Sequence, residues 1–208
     1  MKKVLLSWSC GKDSAWALYR LRRDPGVEVV GLLTSLNSEF DRVAMHAVRH
    51  SLLEMQAAAT GLDLRPIELP HPCSDEQYRA AMGQAMERAK ATGIDAVAFG
   101  DLYLEDVRQY RLDRMAGTGI ESVFPLWKLN TTALAKEMQT AGLRARITCV
   151  DPKQIDVGFA DRGGTRNCYR SYRKAPTPVA KTANSTRLYT LGRCLPARSR
   201  LSRGKSCV

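Results

Sequence analysis

Short apolar runs alternate along this chain with longer segments whose apolar residues recur at helical spacing. The runs at 4–6, 27–34, 64–69, 96–99 and 145–150 predict strands, and 27–34, rich in Val and Leu, predicts a strand buried on both faces. Helices are predicted over 14–21, 42–60, 75–92, from 104 onward, and over 134–142, with Gly61 and Gly93 closing two of them. In 42–60 the expected buried stripe is Val43, His46, Ala47, His50, Leu53 and Ala57; in 75–92 it is Met82, Ala85, Met86 and Ala89. Asp24-Pro25-Gly26 supplies a turn, and residues 123–127 read as a short strand or crossover. Strands alternating with helices at this spacing imply a parallel sheet with helices on both faces, an α/β fold whose ligands bind beyond the carboxyl ends of the strands.

Composition adds a boundary. The chain has 208 residues, enough for one good core with a small appendage, and its 44% hydrophobic and 25% charged content is that of an ordinary globular protein. No apolar run reaches the length of a membrane span, and Lys12 and Asp13 interrupt the opening before a signal-like core is complete, so a cytoplasmic location is expected. Six cysteines without a Cys-x-x-Cys spacing fit reduced thiols. The net charge of +11 suggests nucleic acid until its distribution is inspected. Residues 162–208 hold 12 Lys/Arg and no acid; taking those from the total of 32 leaves 20 against all 21 Asp/Glu in residues 1–161, a net of −1. The body is neutral, which argues against a nucleic-acid role for it.

The chemistry gathers where the first strand meets the first helix, at Ser9-Cys10-Gly11-Lys12-Asp13-Ser14. A helix start offers unpaired N–H groups and partial positive charge, so an anion is stabilised there. Gly11 permits close approach, Lys12 adds a compact cation, and the Ser9 and Ser14 hydroxyls can donate to phosphate oxygens. The stretch is neither a Walker A loop nor a dinucleotide fingerprint. Asp13 beside a phosphate cradle would repel the ligand unless a cation lay between them, which suggests Mg²⁺ arriving with a polyphosphate; the alternative is that Asp13 and Ser14 merely cap the helix.

Gly100-Asp101 ends a second strand, so Asp101 could reach the same magnesium or, alternatively, cap the helix that follows. Glu105, Asp106, Arg108, Tyr110 and Arg111 make that helix either a plain surface element or a substrate-facing one. His46 and His50, four apart, lack the acid and third ligand of a zinc site. Cys149, with nothing nearby to lower its pKa, reads as a buried thiol.

Taken together, Ser-x-Ser-Cys-Gly-Lys-Asp-Ser, Gly100-Asp101 with Glu105-Asp106-x-Arg108-x-Tyr110-Arg111, and Phe124-Pro125-Leu126-Trp127 resemble the diphthine–ammonia ligase family of PP-loop ATP pyrophosphatases, over residues 1–161. The resemblance implies a Rossmann-like fold of the HUP/PP-loop type that cleaves ATP between its α and β phosphates, adenylates a carboxylate and lets ammonia displace AMP. It assigns Ser9, Cys10, Gly11, Lys12, Ser14 and Gly100 to ATP and pyrophosphate, Lys12, Asp13 and Asp101 to catalysis, Asp13 and Asp101 to Mg²⁺, and the polar residues of 105–111 to the acceptor side. Cys10 stands where the family motif commonly has a second glycine or a serine, and its bulk could weaken the loop's approach to phosphate. A nucleotide-binding protein without turnover, left by loss of a second domain, is a second reading; a PP-loop enzyme that modifies tRNA is a third, but the cysteine pair and RNA-binding domain it wants are not found.

By the same resemblance, residues 1–126 are the nucleotide-binding domain and 127–161 begin a smaller second one, which in the family carries a signature close to Asp-Pro-Cys-Gly-Glu-Asn-Gly-Glu-Phe-His. Residues 162–208 lack it and have no periodicity, a composition that does not favour packing. Residues 177–186 can nevertheless be back-translated as ACC CCT GTG GCG AAA ACG GCG AAT TCC ACA. Begun one nucleotide earlier, with a G supplied, that string encodes the signature itself. The expectation is a frameshift just after Asp161, in the gene or its sequencing; the alternative is a genuine basic arm that contacts RNA phosphates.

Overall fold

A computed structural model describes residues 1–43, 48–150 and 186–189. The chain runs β1 (Lys2–Ser7), α1 (Lys12–Leu21), β2 (Val27–Asn37), β3 (Arg42–Val43), α2 (His50–Thr60), β4 (Leu64–Leu69), α3 (Asp75–Ala91), β5 (Ala96–Ala98), α4 (Glu105–Met115), β6 (Glu121–Val123), α5 (Thr131–Thr140), β7 (Arg146–Val150) and β8 (Thr186–Tyr189).

β1 pairs in parallel with β2 on one side and β5 on the other; β4 extends the sheet beyond β2, and β6 beyond β5, both in parallel. The parallel strands therefore lie in the order β4-β2-β1-β5-β6. The chain moves outward one way from β1, then returns through α3 to start again on the other side. The order reverses between β1 and β5, and at such a switch the flanking loops part to leave a crevice at the carboxyl ends of the strands.

Alternation along the strands sends side chains to two separate cores. Val4 and Leu6 of β1 face one way with Trp16, Leu18 and Leu21 of α1, Leu53 and Ala57 of α2, and Leu134 and Met138 of α5. Leu5, Val97 and Phe99 face the other way with Ala85, Met86 and Ala89 of α3 and with Met115 at the end of α4. Helices thus cover both faces, as the periodicity predicts, and burying each of the large aliphatic side chains contributes about 1.5–3 kcal/mol. Α mostly parallel, Rossmann-like α/β sheet results.

Local chemistry accounts for the joints. Gly26 N–H donates to Asp24 Oδ1 at 2.9 Å to set the turn before β2. Ser74 and Gln77 form a reciprocal capping box on α3, and Gly61 ends α2 at φ +67°, a conformation glycine adopts without strain.

Two expectations need correction. The predicted helix over 42–60 begins only at His50: Arg42–Val43 form β3, antiparallel to Leu36–Asn37, so the sheet is not wholly parallel. A two-residue strand is too short to show a period. Val43 is buried from that strand, and His50 pairs with Asp41 at 3.0 Å, while His46 lies outside the described residues. β2 runs on to Asn37, because β4 pairs with it through that residue. Residues 123–127, expected as a short strand or a crossover, divide: Val123 closes β6 and 124–127 turn back, with Trp127 N–H donating to Phe124 C=O at 3.2 Å.

Within the 162–208 segment, β8 pairs antiparallel with β7; the remainder of the segment, and the side chain of Cys149 on β7, lie outside the described residues.

Candidate phosphate site at the switch point

β1 carries the chain to Ser7, and Trp8, Ser9 and Cys10 then lead into α1, whose N-cap is Gly11. The capping alternative is not what the structure has. No side chain caps α1: Asp13 accepts from Lys12 Nζ at 2.7 Å on both carboxylate oxygens, and Ser14 Oγ donates back to Gly11 C=O at 3.0 Å. The first turn keeps its outward N–H groups clear of side chains, which is what an anion requires. Ser9 and Ser14 hydroxyls stand 3.3 Å apart.

Cys10 takes φ +63°, the left-handed region, at a cost of about 1–2 kcal/mol for a residue with a Cβ. Its side chain is fully buried in the α1-side core, so its bulk is directed into the protein interior. Burial pushes the thiol from 9.0 up to about 12. The folded state thus holds that proton more tightly than the unfolded chain: the associated stability is fully present below pH 9 and is lost between pH 9 and 12. The gap in thermal midpoint between the native protein and Cys10→Ala is expected to stay constant below pH 9 and narrow above it; a gap independent of pH up to 12 would contradict the burial of the thiol.

Β5 delivers the second half. A Cβ on Gly100 would lie 3.0 Å from the Asp13 carbonyl carbon, 3.1 Å from its oxygen and 3.1 Å from Ser14 N, all backbone atoms. Gly100 therefore packs closely against the first turn of α1. Asp101 does not cap α4, whose N-cap is Leu104; it accepts from Arg111 Nε at 3.0 Å, and the Arg111 guanidinium lies over the Phe99 ring at 4.7 Å. Asp13 and Asp101 are each matched by a cation of the same chain.

The other polar residues of α4 divide. Arg108 meets Glu105 at 3.3 Å and lies about equally over Phe124 and Trp127, at 5.2 and 5.1 Å, with its Nε buried and unpartnered. Lys128 N–H donates to Leu102 C=O at 2.9 Å, which ties the loop after Asp101 to the turn after β6. Tyr110 faces α3 instead, 6.3 Å from Tyr78 and under the Arg114 guanidinium, and Asp106 is exposed in the first turn.

Two hard carboxylate donors, Asp13 in the first turn of α1 and Asp101 just beyond β5, are of the kind that suits Mg²⁺, which commonly takes one or two carboxylates and completes its shell with water and substrate phosphates. Among the described residues no group of three or more His, Cys, Asp or Glu gathers into a metal site. Also among them, no helix is long and apolar enough to cross a membrane.

Sequence reading does not find Trp8, Thr34 and Gln56, which meet at the root of the loop: Thr34 Oγ1 donates to Trp8 C=O at 2.7 Å, and Trp8 Nε1 to Gln56 Oε1 at 3.0 Å. Their own segments give no local signal: Ser35 follows Thr34, and Glu54 stands two residues before Gln56.

No curated protein matches the chain. The family model for the diphthamide synthase N-terminal domain matches residues 1–122, which takes in β1 through α4 with both Ser9–Ser14 and Gly100–Asp101. The chain belongs to the diphthamide synthase family.

Proposed function

We propose that the crevice between β1 and β5 binds ATP and that the protein is, by descent, an AMP-forming amidoligase: it transfers AMP to a carboxylate acceptor, releases pyrophosphate, and lets ammonia displace AMP to leave an amide. The observation that carries this reading is the contact of Gly100 with the uncapped first turn of α1, at the point where the strand order reverses. Polyphosphate oxygens would accept from the first-turn N–H groups, that of Ser14 among them, and from the Ser9 hydroxyl, while the Ser14 hydroxyl stays on Gly11 C=O and Cys10 and Gly11 contribute backbone alone. Lys12 would leave Asp13 to follow the charge that develops on the leaving pyrophosphate. Such a transfer depends mainly on positioning and on neutralising charge. Asp13 and Asp101 would hold Mg²⁺, which when bound offsets phosphate charge. Arg111, released from Asp101, and Arg108, Glu105 and Asp106 would serve the acceptor side, while Tyr110, turned toward α3, would not reach it. The location consistent with this chemistry is cytoplasmic.

A second reading, nucleotide binding without turnover, is favoured by one feature: residues 162–208 are free of acids and lack the family signature, which residues 177–186 can be back-translated to encode in a displaced frame. The experiment compares the present chain with a frame-corrected one, each incubated with Mg–ATP and ammonium and assayed for nucleotide products. AMP and pyrophosphate from the corrected chain, with binding alone from the present one, is the expected result. ADP and phosphate from either would overturn the amidoligase reading.

A further inference from the structure

Three of the four buried polar side chains among the described residues, Ser14, Thr34 and Gln56, converge on one short stretch, residues 8–14. Polar groups are costly to bury, so a concentration of satisfied ones marks a segment whose geometry is held fixed. Trp8 is held at three points. Its N–H donates to Leu33 C=O at 2.8 Å, its C=O accepts from Thr34 Oγ1 at 2.7 Å, and its indole N–H donates to Gln56 Oε1 at 3.0 Å. Two residues later the backbone enters the left-handed region at Cys10, and Gly11 C=O is then caught by Ser14 Oγ at 3.0 Å and by Ala15 N–H at 3.1 Å. A strained residue persists only where its flanks are over-determined. Here one flank is fixed from β2 and α2, the other from α1.

We infer that Thr34 and Gln56 are positioning residues for the phosphate loop, acting through Trp8 to hold residues 9–14 in the conformation that receives a polyphosphate. Neither touches the ligand. Thr34 sets where β1 stops being a strand, because its hydroxyl takes the Trp8 carbonyl after the last pair of the β1–β2 ladder, Ser7 with Leu33. Gln56, on the second helix, fixes the direction of the indole, and so couples α2 to a loop 48 positions away in sequence. The inference rests on the reading of residues 9–14 as a phosphate loop.

The test uses the full chain, with Thr34→Val, Thr34→Ser, Gln56→Met and Trp8→Phe. Affinity for Mg–pyrophosphate is measured by calorimetry, and amide hydrogen exchange is measured for residues 9–14 and 96–98. Thr34→Val keeps shape and removes the hydroxyl; it is expected to weaken pyrophosphate binding about ten-fold, as the loss of one buried hydrogen bond permits. Exchange is expected to quicken in 9–14 and not in β5. Thr34→Ser restores both, and Gln56→Met and Trp8→Phe each reproduce the loop's faster exchange; these two carry the test if Thr34→Val does not fold. Unchanged affinity and unchanged loop exchange in the folded variants would overturn the positioning role while leaving the phosphate loop in place. Failure of the native chain itself to bind pyrophosphate would overturn the phosphate-loop reading, and this inference with it.

Discussion

Lys12→Ala should lower affinity for Mg–ATP by about 10- to 100-fold, the effect of losing a charge-assisted contact to a phosphate. Lys12 is the cation of the loop itself, and among the described residues its ammonium pairs with Asp13, at 2.7 Å. Its removal has two consequences with the same sign: the phosphates lose a donor, and Asp13 keeps an unbalanced negative charge beside them. Lys12→Arg should recover little, since a planar fork cannot replace a compact ammonium in this setting. The Asp13 side chain is about one-third exposed, so water can solvate the bereft carboxylate and the fold should hardly suffer. Calorimetric titration with Mg–ATP, alongside a thermal midpoint for each variant, checks both halves. Native-like affinity in Lys12→Ala would remove the lysine from the site.

Gly100→Val is expected to abolish nucleotide binding and to lower stability by about 1–3 kcal/mol, the usual range for overpacking. Even a single methyl at this position would stand 3.0–3.1 Å from three backbone atoms of Asp13 and Ser14. Backbone in the first turn of a helix cannot swing aside as a side-chain tip can, so either β5 or the start of α1 must move. The phosphate loop is displaced in both cases. Gly100→Ala should show the same effect at smaller size, giving a graded series. Calorimetry and urea unfolding read the two effects separately. A Gly100→Val protein that binds Mg–ATP normally would mean that the contact between β5 and α1 does not shape the site.

The sequence exposes those parts of the molecule that repeat or punctuate. The strand run 64–69, the buried run 96–99, the stripe Ala85, Met86 and Ala89, and the closing glycines are local signals, and local physics decides them. What it does not expose depends on partners far along the chain. Arg42–Val43 is a strand only because Leu36 and Asn37 present a free edge, and nothing in its own two residues says so. Helical spacing alone extends α2 backward over it. The choice between capping and ion pairing at Asp101 is likewise tertiary: Arg111, ten residues on, takes the carboxylate once α4 returns past the end of β5. Thr34 and Gln56 meet Trp8 across 26 and 48 positions, and no spacing rule spans such distances. At Cys10 the motif shows an odd residue, whereas its fate is set by the core behind it.

The central claim is that the phosphates of ATP lie between the ends of β1 and β5. Amide hydrogen exchange of the full chain, with and without saturating Mg–ATP, tests it most directly, because the donors invoked are backbone N–H groups. Protection confined to residues 9–14 and 100–101 is the predicted result. Saturable binding with exchange at those residues unchanged would place the nucleotide elsewhere and contradict the account.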